Sequence, residues 1–119
     1  MSDRTLAIAQ GAYFAATGIW PLVDIESFEA VTGPKVDKWL VRTVGVLVAA
    51  IGATLVSAGV RRQVTSETRG LAIGSAVGLA AIDVFYAANG RISPIYLADA
   101  AVEAGLAAAW SATRWSTRT

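Results

Sequence analysis

Apolar residues fall into long runs at about 5–23, 39–60, 68–88 and 94–111, separated by short polar stretches. Each run approaches the roughly 20 residues that carry a helix across a bilayer core. In the first, Leu6 to Ala9 leads to Gln10-Gly11, then Ala12 to Trp20, closed by Pro21. A cleaved leader is the rival reading, because Arg4 precedes an apolar run. Gln10-Gly11 breaks that run, however, and Trp20-Pro21 stands where small residues should mark cleavage. In the longest polar connection, Asp24 to Lys38, the residues Ile25, Phe28 and Val31 recur at helical spacing opposite Glu26 and Glu29. Asp24 suits an N-cap and Gly33-Pro34 a stop, so a short interfacial amphipathic helix is predicted.

The second run opens on Trp39, an interfacial anchor, and places Gly45, Ala49, Ala53 and Ser57 four residues apart. Small residues at that spacing allow two helix backbones to approach closely. Thr65 or Ser66 caps the third run, where Gly70, Gly74 and Gly78 form a second ridge. Asp83 lies on the other side of that helix, in line with Ala72, Ala76 and Ala87. Asn89-Gly90-Arg91 is a tight turn. Ser93 as N-cap and Pro94 as first helical residue start the last helix, with Trp110 and Trp115 at its far interface. The expected fold is all-α: a membrane-embedded antiparallel four-helix bundle, one domain over 1–119, with a short interfacial helix between helices 1 and 2.

Composition agrees. Of 119 residues 55% are apolar and 16% charged, and the mean hydropathy is +0.52; soluble domains average about 25% charged. A net charge of +1 with no basic stripe gives no case for nucleic acid. With no Cys and no His, disulfides, thiolate nucleophiles, the usual zinc sites and histidine-ligated haem are ruled out, and no metal or cofactor is expected. Arg4, Arg61, Arg62, Arg69, Arg114 and Arg118 gather on one side, against Lys35, Lys38, Arg91 and Arg42 on the other. That bias puts both termini in the cytoplasm of a multi-pass inner-membrane protein.

The candidate chemistry lies in the last run, where Asp99 and Glu103 stand one turn apart on an apolar helix. At about 1.5 Å of rise per residue, an antiparallel bundle places Arg42 roughly 5 Å deep, Asp99 roughly 6–8 Å, Asp83 roughly 10 Å and Glu103 roughly 12–14 Å from the same side. Tyr86, Tyr96, Trp20 and Asp24 approach this level. Each charge within a membrane costs about 2.5–3.5 kcal/mol at mid-bilayer. One Arg does not balance three carboxyls, so the group must hold a proton or take a cation. The plainer alternative is an interhelical clamp between Arg42 and Asp83 or Asp99.

The runs Trp20-Pro21-Leu22, Ser27-Phe28-Glu29, Val31-Thr32-Gly33-Pro34-Lys35 and Asp37-Lys38-Trp39-Leu40-Val41 resemble small, functionally uncharacterised four-helix integral membrane proteins of bacteria, as do Asp83, Gly90-Arg91-Ile92, Tyr96-Leu97-Ala98-Asp99 and Glu103. In size and helix count the chain is also similar to small multidrug-resistance transporters, whose coupling Glu lies in the first helix; here that helix has Gln10 and no acid before Asp24. An acidic pocket in a small helical bundle is likewise similar in plan to sterol-isomerase and sigma-2-like membrane proteins. The expected function is binding of a small cationic or amphipathic ligand in an acidic and aromatic pocket within one half of the bilayer. The alternatives are a proton-coupled dimeric transporter, paired through the small-residue ridges, and a structural accessory subunit. An enzyme using a carboxyl pair comes last.

Overall fold

A computed structural model describes residues 2–35, 37–90 and 92–113. Among these the chain is all-helical: α1 Asp3–Val23, α2 Ile25–Thr32, α3 Lys38–Val60, α4 Ser66–Ala88 and α5 Tyr96–Ala112. The readings placed on Arg91, Arg114, Trp115 and Arg118 lie outside the described residues.

Local chemistry sets the helix ends. The Ser2 side chain accepts from the Thr5 N–H and starts α1 at Asp3, two residues before the apolar run. Asp24 accepts from the Ser27 N–H and caps α2, which ends at Gly33 with φ +99°. Thr65 caps α4 through the Thr68 N–H. Ser93-Pro94 does not open α5 directly. The N–H groups of Tyr96, Leu97 and Ala98 bond to the carbonyls of Ser93, Pro94 and Ile95, a tight i→i+3 turn that precedes the helix.

Helices α1, α3 and α4 are long and apolar enough to cross a membrane, and α1 is the most buried of the three. It supplies Leu6, Ala7, Gln10, Gly11, Phe14 and Gly18 to the interior. The first segment is therefore central to the fold.

Helix α1 lies antiparallel against α3, and α4 against α5; α1 also meets α5, and α3 meets α4. The α1–α3 approach rests on glycines seven residues apart, Gly11 and Gly18 facing Gly45, Gly52 and Gly59. Seven residues is nearly two helical turns, so each set keeps to one face. A Cβ on Gly18 would stand 2.6 Å from the Gly45 carbonyl oxygen and the Ala49 N, and one on Gly11 2.6 Å from the Gly52 oxygen. The four-residue ridge expected on this helix is thus only partly used: Gly45 and Ala49 meet α1, while Ala53 and Ser57 are exposed. Gly70, Gly74 and Gly78 face outward with open space around them, and the buried side of α4 carries Ala72, Ala76 and Asp83.

At the end of the molecule holding the α3–α4 connection, Leu6, Leu55, Val64 and Ala72 pack around Trp110. Trp110 is 0% exposed, so it is a core residue and not the interfacial anchor read from sequence. The Gln10 amide joins three helices there. It donates to the Ala72 carbonyl of α4 at 2.9 Å and accepts from the Trp110 indole N–H of α5 at 2.7 Å. Arg69 donates to the Trp110 carbonyl and stands 5.6 Å from the Trp110 ring.

The other end is closed by α2 and the connection after it. Glu29 accepts the Lys35 backbone N–H at 2.9 Å and pairs with Lys38 at 3.3 Å. The backbone bond first, and Lys38 second, hold the Glu29 carboxyl below the usual range. A lowered folded-state value stabilises above the unfolded one, about 4.3 for Glu, and that support is lost as pH falls through the folded value. Pepsin cleavage beside Phe28, which is packed on Trp20 while α2 stays docked, is therefore expected to rise as pH drops below about 4, and Glu29→Gln should show raised cleavage already at about pH 5. Equal cleavage of both proteins at the higher pH would show that Glu29 does not hold this connection.

Candidate functional site

Beneath α2 lies a cavity of about 450 Å³. Helix α1 contributes Tyr13, Phe14, Thr17 and Trp20, α2 Phe28 and Thr32, and α3 a row of small and branched residues from Leu40 to Val48. Asp83 of α4 and Tyr96, Asp99 and Glu103 of α5 complete the wall, and Lys35 reaches it from the α2–α3 connection. The lining is mainly apolar, with the ionisable groups in small number and close together.

Each carboxyl reaches the cavity for a local reason. Asp83 follows Ala72 and Ala76 along the buried side of α4. On α5 the buried residues Ala100, Glu103 and Trp110 recur at helical spacing, which turns Glu103 inward. Asp99, half-buried one turn before Glu103, accepts a hydrogen bond from the Tyr13 hydroxyl of α1. Asp99 lines the same cavity as Asp83 and Glu103. The three acids drawn from two helices thus form one group, and Tyr13 ties it to a third.

Two of these oxygens are left over. Asp83 Oδ2 and Glu103 Oε1 are buried and have no hydrogen-bond partner, in residues only 6% and 1% exposed. A buried carboxyl oxygen without a donor carries a desolvation penalty of about 1–3 kcal/mol or more. No three acidic side chains among the described residues are arranged to hold a metal ion.

The cation of the cavity is Lys35. Its ammonium lies 4.8 Å from the Tyr96 ring centroid and 5.9 Å from that of Phe28, and donates to the Thr32 carbonyl at 3.1 Å. Opposite, the Trp20 indole N–H donates to Ser27 Oγ at 2.8 Å and the ring packs edge-on against Phe28, 5.3 Å between centroids. These contacts dock α2 over the cavity.

Of the residues expected to form the site, Asp83, Asp99, Glu103, Tyr96 and Trp20 meet here. Arg42, Tyr86 and Asp24 do not. Arg42 is exposed, because Val41 and Val44 occupy the side of α3 that turns toward the cavity. Tyr86 is half-buried away from it, edge-on to Phe85. Asp24 is exposed and occupied as the α2 cap.

Comparison with known proteins found no matching family model, no matching curated relative and no matching solved structure.

Lys35 escaped sequence reasoning, where it was only a topology charge. Its signal was the continuation of the α2 pattern, Phe28, Thr32 and Lys35 at steps of four and three. Replacing Tyr13 with Phe removes the α1–α5 bond to Asp99. It is expected to lower stability by about 1.5–3 kcal/mol, read as a lower thermal midpoint in detergent; an unchanged midpoint would show that Asp99 does not depend on Tyr13.

Proposed function

We propose that this chain is a multi-pass inner-membrane protein, a four-helix bundle with a short interfacial helix, whose acidic and aromatic cavity binds a small cationic or amphipathic ligand. Embedding is supported by the three long apolar helices and by large apolar side chains turned outward, Trp39, Leu47 and Phe85 among them. Aqueous solvent would leave those side chains as an extended apolar surface, whereas lipid solvates them. Helix α5, 17 residues long and preceded by Ile92 and Ile95, serves as the fourth span. The Lys and Arg distribution favours both termini in the cytoplasm, with the cavity in the outer half of the bilayer.

The observation that carries the ligand reading is the pair of partnerless carboxyl oxygens in a cavity with mainly apolar walls. Intramembrane carboxyls kept only to bind helices together would be expected to satisfy their oxygens across the interface, as Tyr13 satisfies Asp99.

The test uses two cationic amphiphiles, 4-phenylbutylamine and its N,N,N-trimethyl derivative, on the full chain in a neutral maltoside detergent. At least one is expected to raise the thermal midpoint of the native protein, through a stabilisation of about 1.4 kcal/mol at tenfold its dissociation constant. The shift should shrink or vanish when Asp83→Asn and Glu103→Gln are combined. Equal shifts in both proteins, or none in the native one, would reduce the acids to a structural role.

A further inference from the structure

The ligand-pocket reading leaves open what kind of cation the cavity takes, and two features bear on that. Asp83 Oδ2 and Glu103 Oε1 are hydrogen-bond acceptors without donors, on side chains more than nine-tenths buried that line the same cavity. An acceptor is satisfied only by an N–H or O–H group. A quaternary ammonium has none, so it would neutralise charge and leave both oxygens unbonded. Two of the cavity's ring faces, the feature that usually recognises quaternary ammonium, are already taken by Lys35, 4.8 Å from the Tyr96 centroid and 5.9 Å from that of Phe28.

We infer that the cavity selects an amine carrying N–H hydrogens, a primary or secondary ammonium on an apolar body, whose N–H groups bond Asp83 Oδ2 and Glu103 Oε1 while the body lies along Phe14, Val44 and Val48. This rests on the ligand-binding reading above and adds to it the chemistry of the head group. Lys35 at the aromatic side repels a second positive charge on the body, so a monocation is favoured over a diamine. Asp99 is already held by the Tyr13 hydroxyl, which leaves the other two carboxyls to meet the ligand.

Calorimetric titration of the full chain in neutral detergent tests this with three probes of one body: 4-phenylbutylamine, its N,N,N-trimethyl derivative and 4-phenylbutanol. At pH 7 the primary amine is protonated, as a lysine side chain is. It is expected to bind at least about tenfold more tightly than the other two, since the quaternary compound supplies no donor to the unmet acceptors and the alcohol supplies a single O–H and no charge. Combining Asp83→Asn with Glu103→Gln should bring the primary and quaternary compounds to equal affinity. Quaternary binding as tight as primary in the native protein would overturn the N–H claim and leave a general cation pocket standing. If the alcohol binds as tightly as the amine, charge recognition fails. If none of the three binds, the ligand-binding reading falls with the inference. The comparison among probes is made on the native chain, so it does not depend on any variant folding.

Discussion

Leucine in place of Gly52 is expected to unfold or separate the α1–α3 pair. The added Cβ meets backbone on the facing helix, the Gly11 carbonyl oxygen at 2.6 Å and the Ala15 N and Cα beside it. Backbone does not turn aside as a long side chain does, so the two helices must move apart along their whole contact. Overpacking of this kind costs about 1–3 kcal/mol and occasionally more; here Gly11, Gly18, Gly45 and Gly59 lose their close approach together, which places the change at the upper end. Gly74→Ala is the internal control. Gly74 has open space around it and lies within a helix, so alanine should be neutral or stabilising by about 0.5–1 kcal/mol. Thermal unfolding of both variants in one detergent decides the matter: a large loss for Gly52→Leu and none for Gly74→Ala. Equal behaviour would mean that α1 and α3 are not packed through this glycine face.

Trp110→Ala is expected to be the most damaging change at the opposite end. Trp110 is the largest fully buried side chain, and it joins α5 to α1 through Gln10 while Arg69 binds its carbonyl and faces its ring. Truncation leaves a large void and strands the Gln10 carbonyl oxygen, for a loss of about 3–5 kcal/mol. Trp110→Phe separates the two contributions, because it keeps most of the volume and removes only the indole N–H. Its expected cost is about 1–3 kcal/mol, the penalty of a buried acceptor without a donor. Were Trp110→Phe as harmful as Trp110→Ala, the hydrogen bond rather than the packing would dominate. If neither variant lost stability, the buried Gln10–Trp110 link would not hold these helices together.

Much of the architecture was legible because apolar run length and capping residues act locally. The short helix after the first apolar run followed from Asp24, the Ile25, Phe28 and Val31 spacing and Gly33, and α2 forms there. The meeting of Asp83, Asp99 and Glu103 followed from depth along antiparallel helices, which needs only rise per residue and the order of the segments. What depth does not give is rotation about the helix axis. Arg42 has a suitable depth and points outward, while Lys35, beyond the end of α2 but still in line with Phe28 and Thr32, reaches into the cavity. The glycine face was misread for a related reason. Ridges of four and of seven residues both begin at Gly45, and only the partner helix chooses between them; Gly11 and Gly18, also seven apart, choose the second. Trp110 at a helix end fits an interfacial anchor until Gln10, 100 positions earlier, supplies its indole with a partner in the interior.

The account turns on a ligand entering the cavity beside Trp20, and contact quenching reads that directly. Bromine quenches indole fluorescence at short range, so 4-(4-bromophenyl)butylamine reports the approach of its own body to a tryptophan. Titrated into the full chain in neutral detergent, it is expected to quench in a saturable way at one amine per chain, and replacing Trp20 with Phe should remove the saturable part. Quenching that rises in proportion to the amine in the micelle and is the same in Trp20→Phe would contradict the account, because the amine would then be dissolving around the protein and not entering it.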